Sequence, residues 1–193
     1  EIGNDYSWCE KLTTPSSYNP KDFFQTGTNV TNSVSLTTGT EKNQTYFSAS
    51  SVNADGIIHN NALDRYNFSF RNTSNFLDDK LNLDLSMMYI KIKEQNMLAQ
   101  GQYFNPLIPI YLFPRGDDIR KYQVFERYNA TRNFKTQYWP FGDLGFQMQN
   151  PYWITERDLF VNNKDRYLIS AGLKYNINDW INREGRAKID RNT

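Results

Sequence analysis

Leu63-Asp-Arg-Tyr-Asn-Phe-Ser-Phe-Arg71 and Leu81-Asn-Leu-Asp-Leu-Ser-Met-Met-Tyr89 are two runs in which apolar and polar residues alternate. Tyr66, Phe68 and Phe70 alternate with Arg65, Asn67, Ser69 and Arg71. Leu81, Leu83, Leu85, Met87 and Tyr89 alternate with Asn82, Asp84, Ser86 and Met88. A period of two is that of a β-strand with one wet and one dry face. Only Ser74 to Asp79 separate the runs, so they read as a hairpin. The dry face meets either a protein core or lipid, and the two settings demand different folds.

The same pattern recurs on both sides. Tyr167, Ile169, Ala171, Leu173, Tyr175 and Ile177 alternate with Leu168, Ser170, Gly172, Lys174 and Asn176. A turn at Asn178–Trp180 leads into Ile181, Arg183, Gly185, Ala187 and Ile189, which alternate with Asn182, Glu184, Arg186, Lys188 and Asp190. A weaker hairpin comes first, with Val30, Val34 and Leu36 before a turn at Gly39–Asn43. The fold predicted is all-β: an antiparallel meander of six long strands at about 29–38, 44–53, 63–73, 80–93, 165–178 and 181–192.

The links are asymmetric. Those after strands one, three and five are short, and those after strands two and four are longer. In an antiparallel sheet this puts every short link on one edge. Short periplasmic turns opposite long extracellular loops are the habit of outer-membrane barrels. The stretch 94–164 is a link of about 70 residues, unusual in a compact soluble domain but ordinary as an outer loop. Six strands cannot close a spanning barrel, which takes about eight at least, and hydrocarbon does not tolerate open sheet edges. The expectation is a partial transmembrane β-barrel, residues 1–193 being one segment of a larger wall. Tyr66, Tyr89, Tyr167 and Tyr175 near strand ends suit the headgroup layers. The alternative is a soluble carbohydrate- or peptide-binding β-domain with one aromatic loop.

Composition removes other classes. Charged residues make up 22% and the net charge is +1, with pI near 8.0, so no global electrostatic footprint for nucleic acid exists. Mean hydropathy is −0.75, a value compatible with strands that turn half their residues to a polar lumen. The chain starts at Glu1 without a signal-like segment, so it is read as processed or as a fragment. The single cysteine, Cys9, rules out an internal disulfide and argues against a cysteine-based zinc site.

The long loop holds five of the seven prolines and half of the aromatic residues. A helix is predicted after Asp117 or Asp118, with Ile119, Tyr122 and Phe125 at spacing three and Glu126-Arg127-Tyr128 as its extension. Trp139, Phe141, Tyr152 and Trp153, with Tyr138 beside them, are candidate contacts for a ligand or a lipoprotein partner, since aromatic faces suit sugar rings and apolar peptide side chains. The competing reading is that these rings build the loop's own small core.

Catalytic signals are weak, and the chain is not read as an enzyme. His59 is the only histidine and sits in a link rich in asparagine. No nucleophile-elbow sequence is present. Asp78-Asp79 and Asp117-Asp118 read as turn or capping groups rather than an acid–base pair. Gly142-Asp-Leu-Gly145 lacks the Lys-Ser/Thr of a phosphate-binding loop. No cofactor or metal site is expected. Arg65, Arg71, Glu184, Arg186, Lys188 and Asp190 could form charge ladders, line a solute path or meet an internal plug.

Several words in the chain, in order, carry a resemblance. They are Asn19-Pro-Lys-Asp-Phe-Phe-Gln-Thr-Gly27, Val34-Ser-Leu36, Thr45-Tyr-Phe-Ser-Ala-Ser50, Ala54-Asp-Gly-Ile-Ile58, Leu63-Asp-Arg-Tyr-Asn-Phe68, Phe70-Arg-Asn72, Phe113-Pro-Arg-Gly-Asp-Asp118, Gln149-Asn-Pro-Tyr-Trp153 and Trp180-Ile-Asn-Arg-Glu-Gly-Arg186. Together they resemble the first barrel strands of SusC-like (RagA-type) TonB-linked outer-membrane transporters of Bacteroidetes. The resemblance implies a 22-stranded barrel with an N-terminal plug, in the Gram-negative outer membrane. It implies import of oligosaccharides or peptides with a SusD-like surface lipoprotein, driven by TonB–ExbB–ExbD. The chain departs from the family in lacking a TonB-box-like segment and plug motifs, in ending on Thr193 rather than an aromatic residue, and in carrying Cys9-Glu10 after Ser7-Trp8. By this resemblance the chain is the stretch of wall following the plug.

Overall fold

The computed structural model describes residues 13–14, 16–96, 101, 103–139 and 148–193. Cys9, Ser7-Trp8, Phe141 and the Gly142–Gly145 run lie outside the described residues. The chain divides into two compact units, one formed by residues 26–97 with 160–193 and the other by residues 1–25 with 98–159.

The first unit is the antiparallel meander. Its strands are β1 (Thr28–Thr40), β2 (Asn43–Asp55), β3 (Ala62–Phe76), β4 (Leu81–Gln95), β7 (Val161–Asn176) and β8 (Asn182–Asn192), hydrogen-bonded in that order. The intervening β5 (Glu126–Asn129) and β6 (Phe134–Gln137) form a separate hairpin in the other unit. The link between β1 and β2 is only Glu41-Lys42. Gly39 makes it possible: at φ +153° a Cβ there would lie 2.1 Å from the Asn43 carbonyl oxygen. Strand β3 runs on through Ser74, Asn75 and Phe76, which the sequence reading placed in the turn. The Asn75 amide donates to Lys42 O at 2.7 Å, and Asn82 Nδ2 donates to Asn75 Oδ1. These bonds hold polar residues in the ladder where no apolar pattern marks them. The turn itself then uses left-handed Leu77, Asp78 and Asp79.

Register turns local alternation into two continuous faces. Leu36 is level with Phe47, Phe47 with Phe70, Phe70 with Met87, Met87 with Ile169 and Ile169 with Ile189. This row of six apolar side chains crosses every strand, and all six are exposed, from 37% at Phe70 to 62% at Leu36 and Ile189. The next row carries Val34, Ala49, Phe68, Tyr89 and Tyr167 before ending at Arg191. Phe68 stacks on Tyr89 at 6.2 Å and Tyr89 on Tyr167 at 4.9 Å. Strands β1 and β8 form the two sheet edges.

The second unit has a small core of its own. Tyr18, Phe23, Ile110, Phe113, Ile119 and Ile154 are buried in it, with Pro109 and Pro151. Its elements are a 3-10 turn at Pro20–Phe23, α1 (Leu107–Leu112), a second 3-10 turn at Ile119–Gln123, the β5–β6 hairpin and α2 (Pro151–Arg157). The helix predicted after Asp118 is thus a 3-10 turn. Spacing three is the 3-10 period, which stacks Ile119 over Tyr122 and cannot continue for long. Glu126-Arg127-Tyr128, read as its extension, instead opens β5.

Candidate functional site

Of the sequence-predicted contact residues, Tyr138, Trp139, Tyr152 and Trp153 fall in the second unit and are half-buried, and Phe141 lies outside the described residues. Tyr138 and Trp139 both pack on Tyr122, at 5.9 and 5.5 Å between ring centres. Phe113 joins them, 5.8 Å from Tyr122 and 6.0 Å from Trp139, and Tyr18 closes the cluster 6.3 Å from Phe113. Tyr152 packs on Phe23 at 5.3 Å and Trp153 on Phe125 at 6.3 Å. The structure therefore brings Tyr138 and Trp139 together and gives Tyr152 and Trp153 other partners. The faces that pack here are engaged in the loop's own core, where each ring pair contributes about 0.5–1.5 kcal/mol beyond area burial.

Asn150 organises this aromatic unit. It is fully buried, and its side-chain amide donates to Tyr122 O at 2.9 Å and Tyr138 O at 3.0 Å. Its Oδ1 accepts from the Tyr152 amide at 2.9 Å, capping α2 at the position that favours asparagine. One residue thus ties three of the aromatic segments together. The sequence signal for it was the Asn150-Pro151 pair, a cap followed by the proline favoured in a first helical turn.

The charges of this unit form local pairs. Asp118 caps the second 3-10 turn through the Arg120 amide, and Arg120 closes back on its carboxylate at 2.6 Å. Asp117 holds Lys121 at 2.7 Å and the Tyr122 hydroxyl at 2.9 Å. The Lys121 hydrogen bond keeps the Asp117 carboxyl below its ordinary value, and burial with the Asp117 bond pushes Tyr122 up to about 12. Glu126 accepts from Lys135 and Arg157, at 2.7 and 2.8 Å, and is lowered by them. The adjacent carboxylates Asp117-Asp118 are engaged in these pairs and in capping. Arg127 lies 3.4 Å above the Tyr138 ring, a cation–π contact. Burial pushes Tyr18 up to about 12, and its hydroxyl has no hydrogen-bond partner among the described residues.

The polar face of the meander is the second candidate surface. Arg71 clasps Asp84 with two bonds of 3.1 and 3.0 Å, and Arg166 clasps Asp190 at 2.9 and 2.7 Å. Lys164 meets Glu94 at 3.1 Å, and Arg186 meets Glu184 along its own strand at 2.9 Å. Charge ladders thus exist across strands, through the partners Asp84, Glu94, Lys164 and Arg166 that the sequence reading had not singled out. Neutral groups join them, with Asn67 donating to Ser50 at 3.1 Å. His59 lies exposed in the link between β2 and β3, and no group of three metal-ligating side chains occurs among the described residues.

No protein-family model matches the sequence, and no curated protein matches it.

Proposed function

We propose that this chain is a sector of an outer-membrane transport barrel, of the SusC-like (RagA-type) TonB-linked kind that its sequence resembles. In this reading it helps import oligosaccharides or peptides with a SusD-like lipoprotein and TonB–ExbB–ExbD, and catalyses nothing itself.

The observation that carries the reading is the uncovered apolar row from Leu36 to Ile189. Burying one such side chain is worth about 1.5–3 kcal/mol. Six of them left half in water forgo an amount comparable with a domain's whole stability, about 5–15 kcal/mol. Lipid removes that penalty. The opposite face, with its ion pairs and serines, suits a water-filled lumen.

Dimensions support the same setting. On β4 the apolar stretch Leu81–Tyr89 covers about 27 Å along the strand. At the ~35–45° tilt of barrel strands that length spans ~19–22 Å of membrane, close to the ~25 Å apolar band of outer-membrane barrels. The edge strand β1 carries neither a charged residue nor a proline, the devices that keep soluble edges from pairing. That suits a strand with a further neighbour.

Neighbouring residues on opposite faces provide the test. With Cys9 replaced by serine, Ser86→Cys should react with a water-soluble maleimide in intact outer membranes and Met87→Cys should not. Equal labelling of the two would overturn the membrane reading. Loss of oligosaccharide or peptide uptake, and of a co-purifying surface lipoprotein, on deleting the protein tests the transport reading separately.

A further inference from the structure

The polar face contains a hollow of about 510 Å³ lined by four small hydroxylated side chains, Ser48, Ser69, Ser86 and Ser170, with the larger Tyr46, Met88 and Leu168 among them. Their positions follow from register: Ser48 faces Ser69 across β2–β3, and Ser86 faces Ser170 across β4–β7. None of the four hydroxyls has a hydrogen-bond partner among the described residues. Cations stand round them. Lys188 lies directly across from Ser170, Arg71 directly across from Ser86, and Arg186 one row further along β8. Arg186 lies across from Gly172, and its Nε would be 3.7 Å from a Cβ at that position.

Charge balance is uneven. The acids nearest the hollow are committed, Asp84 to Arg71, Glu184 to Arg186 and Asp190 to Arg166. Lys188 has no ion pair among the described residues. The hollow therefore offers donors in excess: four hydroxyls, the remaining guanidinium hydrogens and the Lys188 ammonium, whose field reaches Asp190 on its own strand without a contact pair. Charge-assisted bonds to an anion are the strongest such a set can make, and the low-dielectric walls of a cleft, here Met88 and Leu168, focus the field of its cations.

We propose that this hollow is a binding site for an anionic group, a carboxylate or phosphate carried by a small solute, with Lys188 as its principal counter-charge. This goes beyond the transport reading, which does not specify charge, and it does not require the membrane: the hollow belongs to the sheet itself.

The test uses the full chain with Cys9→Ser and Ser170→Cys, which puts one thiol in the hollow. The rates of modification by an anionic and a cationic methanethiosulfonate of equal size are compared. The anionic reagent should be favoured at least tenfold over its ratio for a free thiol. Lys188→Gln should remove most of that preference, Lys188→Arg should retain it, and Lys174→Gln, toward the turn edge of the same face, should leave it unchanged. Citrate should slow the anionic reaction, and sorbitol should not. A ratio equal to that of a free thiol, equal losses for Lys188→Gln and Lys174→Gln, or no protection by citrate would each overturn the proposal. The measurement is made both in detergent micelles and in membranes. Loss of the membrane reading alone would leave the micelle result standing, so the two failures are distinguishable.

Discussion

The hydroxyl of Tyr89 donates a 2.5 Å hydrogen bond to Asp165 across the β4–β7 pair, joining residues 76 positions apart. Tyr89 stacks on Tyr167 in the same row, and the next row brings Lys91 level with Asp165. The apolar face ends here: ring below, polar tip and charges above. Tyr89→Phe removes a bond to a charged acceptor and should lower the melting temperature with the strand content unchanged. A variant as stable as the parent would mean that Asp165 finds water equally well.

Asn150→Ala should damage the aromatic unit selectively. It strands the carbonyls of Tyr122 and Tyr138 and uncaps α2. Each buried orphan costs about 1–3 kcal/mol, so the unit should open to limited proteolysis and fast hydrogen exchange. Exchange in β1–β4 should stay slow, and simultaneous loss there would show that the two units melt as one.

Tyr18→Phe should be neutral or stabilising by up to about 1 kcal/mol. Its hydroxyl is buried without a partner among the described residues, while its ring packs on Phe113. Phenylalanine keeps the ring and removes the desolvated polar atom. A clear drop in thermal stability would refute this account.

The β5–β6 hairpin should loosen in acid. Glu126 is held below its ordinary value of 4.5 by Lys135 first and Arg157 next. A depressed carboxyl contributes stability that is complete above the unfolded value and disappears as pH falls through the lower folded one. The protection factor of the hairpin amides, taken against the intrinsic exchange rate at each pH, should therefore fall below pH 4.5, and Glu126→Gln should make it low and insensitive to pH across that window.

Trp180 is 92% exposed on an ordered turn, where Asn178 Oδ1 accepts from the Trp180 and Ile181 amides at 3.0 and 2.8 Å. A tryptophan presented in this way at the short-link edge fits a headgroup layer. Its fluorescence, isolated by difference from Trp180→Phe, should be quenched by lipids brominated near the carbonyls and resist acrylamide. Acrylamide access without lipid quenching would place the turn in water.

The meander was readable because alternation is a local consequence of the pleat, and Leu81–Tyr89 needs no knowledge of its neighbours to declare a dry side. The aromatic unit was less so. Ile119, Tyr122 and Phe125 share a spacing that suits several helical forms, and the competition was settled by burial of Ile119 and by Glu126 pairing into a hairpin. The β5–β6 pairing left little trace, since four-residue strands are too short to show a period. The expected contact rings Tyr138, Trp139, Tyr152 and Trp153 could be named from composition, but not which of their faces pack inward.

By itself the sequence determined the six strands of the meander, their two faces and the side of the sheet on which short links fall, because the two-residue period is steric and local. Only the tertiary structure decided that the residues between β4 and β7 carry a hairpin, β5–β6, and a small core of their own. It alone decided the register that puts Leu36, Phe47, Phe70, Met87, Ile169 and Ile189 in one row. The same register sets Lys188 beside Ser170 on the other face. A shift of one residue would keep every local pattern and turn each side chain to the wrong face. Register is therefore set by side chains meeting across strands, which no single strand encodes.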